Sequence, residues 1–180
     1  MLVDSSRYMD VKDAIRRRHS IRSFSDKKLP ADLIYEMIEY ANLAPSAGNL
    51  QAREFIVVDD PEVKKRLSDA ALDQEFIAEA PVDIVVCVHL DRISPYGKRG
   101  KELYCLQDAA AAVEHILLLA VNYGLVTCWV GAFDENMVSK ILNLPRYIRP
   151  VVIIPIGYQK GEIETTDRIQ TSDLIHNNGW

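Results

Sequence analysis

The sequence predicts a layered domain in which helices cover both faces of a buried sheet. Three observations carry this. Val82–Val88 and Val151–Ile156 are nearly unbroken apolar runs rich in β-branched residues, the pattern of strands buried on both faces. Leu103–Tyr123 is a long helical stretch, apolar nearly all round through Ala109–Ala112, which marks a helix enclosed by other elements. No repeat, low-complexity tract or interdomain linker interrupts the chain, so its 180 residues read as a single domain, 1–180.

Each element has its own signal. Asp10 is placed to cap a helix over Val11–Arg18, with Val11, Ala14 and Ile15 on one face. Pro30 opens a second helix, in which Leu33, Ile34, Met37, Ile38 and Ala41 recur at helical spacing, and Pro45 stops it. Ser46–Asn49 is loop material. Phe55–Val58 reads as a short strand, followed by a helix over Glu62–Ala71 and a further short one. Leu90–Lys101, with Pro95, Gly97 and Gly100, reads as a long loop of the kind that often serves as a lid. Gly124 ends the long helix. Leu125–Val130 is a strand, Asp134–Leu142 a capped helix, and Val151–Ile156 the last strand. The tail, 157–180, has no core period and ends on Trp180, which suggests an arm that packs on a partner subunit. Trp129 reads as core or interface packing.

Composition narrows the class. Asp plus Glu total 26 against 21 Lys plus Arg, a net charge of −5, which argues against a general nucleic-acid binder. Runs such as Ile116–Val121 are too short to span a bilayer, and Met1–Asp10 carries Asp4 and Asp10 with no apolar secretory core. Cys87, Cys105 and Cys128 are odd in number and apolar in setting, the mark of reduced, buried thiols in a cytoplasmic protein. Cys87 and His89 form a pair without partners, so no metal site is expected. There is no Gly-x-Gly-x-x-Gly, no phosphate loop, no His-Glu-x-x-His and no Gly-x-Ser-x-Gly.

What remains is a set of four segments. Arg16, Arg17, Arg18, His19, Ser20 and Arg22 form a basic, hydroxyl-bearing cluster in an acidic chain. Guanidinium forks bind phosphate oxygens in parallel pairs, so the cluster points to a phosphorylated ligand; a solvated basic helix end would also account for it. Ala44-Pro45-Ser46-Ala47-Gly48-Asn49-Leu50-Gln51 offers two carboxamides on a loop, and a carboxamide presents donor and acceptor side by side to a heterocycle edge. Gly124–Asp134 places small residues, Gly131 and Ala132, after a strand, where backbone N–H groups can approach a flat ligand. Arg168 lies in the tail.

In their order and spacing these segments resemble the FMN-dependent nitroreductase family in its short single-domain form, over residues 11 to 176. The resemblance implies an α+β, three-layer sandwich with a mostly antiparallel central sheet, helices on both faces and a C-terminal arm reaching the partner subunit. It implies homodimers with FMN at the subunit interface. By position, Arg18, His19 and Ser20 match the segment at the phosphate and ribityl end, and Arg22 a cation near the pyrimidine edge. Pro45, Ser46, Asn49 and Gln51 match the loop that pairs with that edge. Gly131 and Ala132 match the backbone pair near flavin N5 and O4, and Arg168 a tail cation at the phosphate. Two positions depart from the pattern. Ala52-Arg53 stands where many relatives have proline and then an aromatic, and Thr166 replaces a common lysine, with Arg16 or Arg17 as candidate substitutes.

The activity so implied is an FMN-dependent NAD(P)H oxidoreductase. It passes two electrons by ping-pong to an electron-poor small molecule such as a nitroaromatic or quinone, with NAD(P)H a transient donor. The missing dinucleotide motif agrees with transient stacking. Alternatives are a flavin storage protein without turnover, or another flavin reaction on the same scaffold, such as dehalogenation or dehydrogenation.

Overall fold

The computed structural model describes residues 9–162 and 166–180. Most of Met1–Asp10, where the lack of a secretory core was read, lies outside them. In chain order the helices are α1 (Val11–Arg17), α2 (Ala31–Asn42), α3 (Pro61–Ala70), α4 (Phe76–Glu79), α5 (Gly97–Arg99), α6 (Cys105–Asn122) and α7 (Glu135–Ile141). The strands are β1 (Arg53–Val58), β2 (Val82–His89), β3 (Val126–Thr127) and β4 (Ile148–Gly157). They form one antiparallel sheet in the order β1-β2-β4-β3.

The sheet is the middle of three layers, as the apolar runs require. Strand residues alternate between faces. Ile84, Val86 and Val88 of β2 join Val152, Ile154 and Ile156 of β4 on one face, under Ile34, Met37 and Ala41 of α2 and Ala112, Val113 and Ile116 of α6. Val85, Cys87 and Ile153 face the other way, against Leu67 of α3, Ile77 of α4 and Val138 of α7. Burying each such side chain contributes roughly 1.5–3 kcal/mol. The sheet is not wholly apolar, because Asp83 of β2 is fully buried.

The predicted caps hold. Asp10 Oδ1 accepts the Lys12 amide at 2.9 Å, Asp134 caps α7 through the Asn136 and Met137 amides, and Gly124 takes a φ of 69° just beyond α6. The segment Ser94–Asn122 is long and apolar enough by itself to cross a bilayer. Its buried face against α2 and the sheet identifies it as the core helix of this domain.

Two expectations are corrected. The strand read over Leu125–Val130 is only Val126–Thr127. Cys128 donates to the Pro155 carbonyl at 3.3 Å, but Pro155 has no N–H to return. The ladder therefore breaks, and it resumes in the same register as a bridge between Val130 and Ile153. The segment Leu90–Lys101 is mostly helical rather than an open loop: Ser94–Tyr96 and α5 lead through a π-turn, Gly100–Tyr104, into α6. Its glycines serve packing. Gly97 turns the chain at φ 57°, and a Cβ on Gly100 would come within 2.9 Å of the Ile93 carbonyl. The helix α2 ends at Asn42, before Pro45. On α1 only Ala14 is buried; Val11 and Ile15, on the same face, are 61% and 55% exposed, and Trp129 is 39% exposed, outside the core of this chain, which leaves the interface reading.

Candidate functional site

An extended segment anchored by two buried side chains brings the basic cluster to the sheet. Ile21 and Phe24 are buried, while Ser20 and Arg22 between and beside them point outward. Ile21 donates to the Thr127 carbonyl at 2.9 Å, Ser20 bridges Thr127, and Phe24 bridges Gln159 beyond the end of β4. The N-terminal segment is thereby fixed beside the strand from which the tail departs.

The consequence is a cavity of about 460 Å³ lined by Arg18, His19, Ser20 and Arg22 together with Glu162, Thr166 and Arg168. Residues some 150 positions apart in sequence share one surface, and the volume lies within the range of small-ligand sites. The donor set suits a phosphate: three guanidinium groups, three hydroxyls (Ser20, Ser23 and Thr166) and an imidazole, with Glu162 the one acidic lining residue. Arg18 lies 3.9 Å from Glu114 of α6. Arg168 donates to the Thr166 hydroxyl at 2.9 Å, so the residue at the lysine position orients the tail arginine. Arg16 and Arg17 are not in this cavity. Arg16 pairs with Asp13 at 3.1 Å, and Arg17 lines a neighbouring groove, so neither stands in for the lysine.

Arg22 lies 5.9 Å over the Phe76 ring. Within the α3–α4 connection, Gln74 donates to the Ala132 carbonyl at 3.1 Å. Gly131 and Ala132 are exposed. Burial raises the Cys128 thiol pKa, with the Arg22 charge opposing, and pushes that of Cys87 up to about 12. Both therefore stay protonated, as non-nucleophilic core thiols.

The third segment, Pro45 to Gln51, contributes no residue to that cavity. It holds a 3₁₀ turn, Ala47–Asn49, with Gly48, Asn49 and Gln51 at φ 55°, 55° and 50°. Ser46 Oγ accepts the Gln51 amide at 3.0 Å, and the exposed Gln51 carboxamide lies 3.3 Å from Asn49 Oδ1. A Cβ on Gly48, whose φ is 55°, would lie 2.5 Å from the Tyr96 hydroxyl, so any other residue there would have to displace that ring. Two residues of this region escaped the sequence reading. Arg53 stands at a departure from the family pattern and Asp108 on the apolar helix α6; both are buried.

Comparison with known proteins agrees with the fold and the motifs. The model of the nitroreductase family matches residues 15–74 and 71–158. The chain is 35% identical over 173 residues to a provisionally named NADH dehydrogenase/NAD(P)H nitroreductase of Archaeoglobus fulgidus, covering 92% of this chain and 96% of the relative. It is 26% identical over 182 residues to an FMN reductase (NADPH) of Bacillus subtilis, covering 93% and 73%. The structure of B. megaterium NfrA2 superposes with a TM-score of 0.88 at 25% identity, covering 96% of this chain and 76% of that one. The chain belongs to the nitroreductase family, and it is an oxidoreductase with that family's α+β fold.

Proposed function

We propose that the protein binds FMN as a homodimer and passes two electrons by ping-pong from NAD(P)H to an electron-poor small molecule such as a nitroaromatic or quinone. The observation that carries this reading is the meeting of Arg18, His19, Ser20 and Arg22 with Arg168 around one cavity. A relative named for FMN reduction and the family match support it.

Bound FMN would supply the redox chemistry, accepting a hydride and passing on two electrons. The chain's residues bind, orient and tune. Arg18 and Arg168 hold the phosphate, each charge-assisted contact contributing about 1.5–3 kcal/mol. Ser20 and His19 add hydrogen bonds along the ribityl chain. Arg22 sets positive charge beside the pyrimidine edge, where electron density rises on reduction. Asn49 and Gln51 offer donor and acceptor to the ring edge, and Pro45 and Ser46 shape their loop. The backbone N–H groups of Gly131 and Ala132 hold the N5 and O4 side.

In one chain no residue of the amide loop lines the basic cavity, and a second copy is the natural source of the missing part. Val11, Ile15, Tyr35, Tyr40 and Leu43 are exposed apolar residues on α1 and at α2, as a subunit interface requires. The tail beyond Tyr158 is exposed wherever described, in keeping with an arm for a partner.

Stopped-flow mixing of the FMN-loaded protein with NADH and NADPH tests the reading. Bleaching of the flavin band at a rate proportional to nicotinamide, then recovery on adding a quinone, is expected. A yellow protein that neither bleaches nor recovers would be a storage protein instead. Recovery only with a halogenated substrate, or bleaching by a saturated ring substrate in place of nicotinamide, would place it in the alternative reaction classes.

A further inference from the structure

Arg53 opens β1 yet is only 3% exposed. Its guanidinium donates to four backbone carbonyls: Asn42 at 2.7 Å, Ala44 at 2.8 Å, and Pro45 and Asp108 at 3.3 Å. Three of these lie at or just past the end of α2, where carbonyls have no helical partner. Asp108 of α6 grips the other side of the same loop, its Oδ1 accepting the Ala47 amide at 2.9 Å. The loop between these grips contains Gly48, Asn49 and Gln51 in the left-handed region. Side chains avoid that region unless the surroundings over-determine it.

A helix cap alone would need only the carbonyls near Asn42. The bond from the Ala47 amide to Asp108 contributes nothing to α2; it fixes the loop. Arg92 secures the loop's exit from outside, donating to the Gln51 carbonyl at 2.7 Å and pairing with Glu54 at 2.5 Å. We infer that Arg53 and Asp108 form a buried latch that positions the carboxamide loop, so that Asn49 and Gln51 meet a heterocyclic ring edge in one fixed geometry. The inference rests on the flavin reading above. Both residues act through the loop and touch no ligand. Holding a strained loop before the ligand arrives lowers the ordering cost of binding.

The test uses the full-length protein, as purified and after flavin removal, with Asp108→Ala, Asp108→Asn and Arg53→Lys. Riboflavin is the probe, because it lacks the phosphate that the basic cavity would hold. Asp108→Ala should speed hydrogen exchange at the Ala47 and Gln51 amides about 10-fold or more while the β2 and β4 amides stay protected. It should also weaken riboflavin binding about 10-fold and shift the bound flavin's absorption towards that of free flavin. Asp108→Asn keeps an acceptor for Ala47 and should restore most of both. Arg53→Lys keeps the charge but loses the planar fork, and it should repeat the loss if Asp108→Ala does not fold. A loosened loop with unchanged riboflavin affinity and spectrum would overturn the inference, as would unchanged exchange. A parent protein that binds neither riboflavin nor FMN would overturn the flavin reading itself, a result distinct from losses confined to the variants.

Discussion

Arg18 and Glu114 face each other across 3.9 Å, the arginine side chain 22% exposed and the carboxylate 47%. The pair joins the end of α1 to the middle of α6, beside the basic cavity that Arg18 lines. At that distance and exposure the pair itself is worth little, so most of the Arg18 hydrogen-bonding capacity stays available for a phosphate.

Arg18→Ala should therefore weaken FMN binding by about 1.5–3 kcal/mol, roughly 10- to 150-fold, and leave riboflavin binding nearly unchanged. Glu114→Gln should tighten FMN modestly by removing a competing carboxylate. Fluorescence titration with both flavins checks the pair of results; equal losses for the two flavins would remove Arg18 from the phosphate end.

Thr166 accepts from Arg168 where many relatives carry a lysine. Thr166→Lys adds a cation to the cavity and should strengthen FMN binding at low salt, with the gain fading as ionic strength rises. Kd measured across a salt series reports it. A gain independent of salt would point to packing instead of charge.

Arg22→Ala should lower the flavin midpoint potential by about 20 mV, equivalent to roughly 1 kcal/mol for a two-electron couple. It should slow reduction by NAD(P)H and retain most FMN. Potentiometric titration decides this, an unchanged potential removing Arg22 from the electrostatic role.

Asp83 is buried in β2, and among the described residues neither of its carboxyl oxygens has a hydrogen-bond partner. Burial pushes its pKa well above the usual carboxylate value, with the Lys64 charge opposing. The folded chain therefore keeps a proton that the unfolded chain has released. The stability this contributes is full below the unfolded carboxylate's ordinary pKa and is lost as pH rises towards the raised folded value. Asp83→Asn should flatten that fall, measured as Tm between pH 4 and pH 8. A parallel pH dependence in parent and variant would show that Asp83 does not titrate there.

Periodicity exposed the three layers because β2 and β4 are buried on both faces, and few other arrangements hide such runs. Composition concealed the rest. Pro155 cuts β3 short through a missing N–H that acts on a neighbouring strand, so the β3 sequence itself carries no warning. Gly97 and Gly100 look like loop residues, but one turns the chain and the other admits the Ile93 carbonyl. Within the site, Arg18, His19, Ser20 and Arg22 were legible as a local cluster, and Arg168 joins them only through tertiary pairing beside β3 and β4. Arg53 and Asp108 were opaque because their partners are backbone groups, which leave no trace in side-chain pattern.

Equilibrium titration of flavin-free protein with FMN, followed by absorbance and by the oligomeric state in solution, addresses the central claim most directly. One FMN per chain, bound by a dimer and bound more weakly after Arg18→Ala or Arg168→Ala, is the predicted result. A protein that takes up no FMN, or whose affinity is indifferent to both arginines, would contradict it.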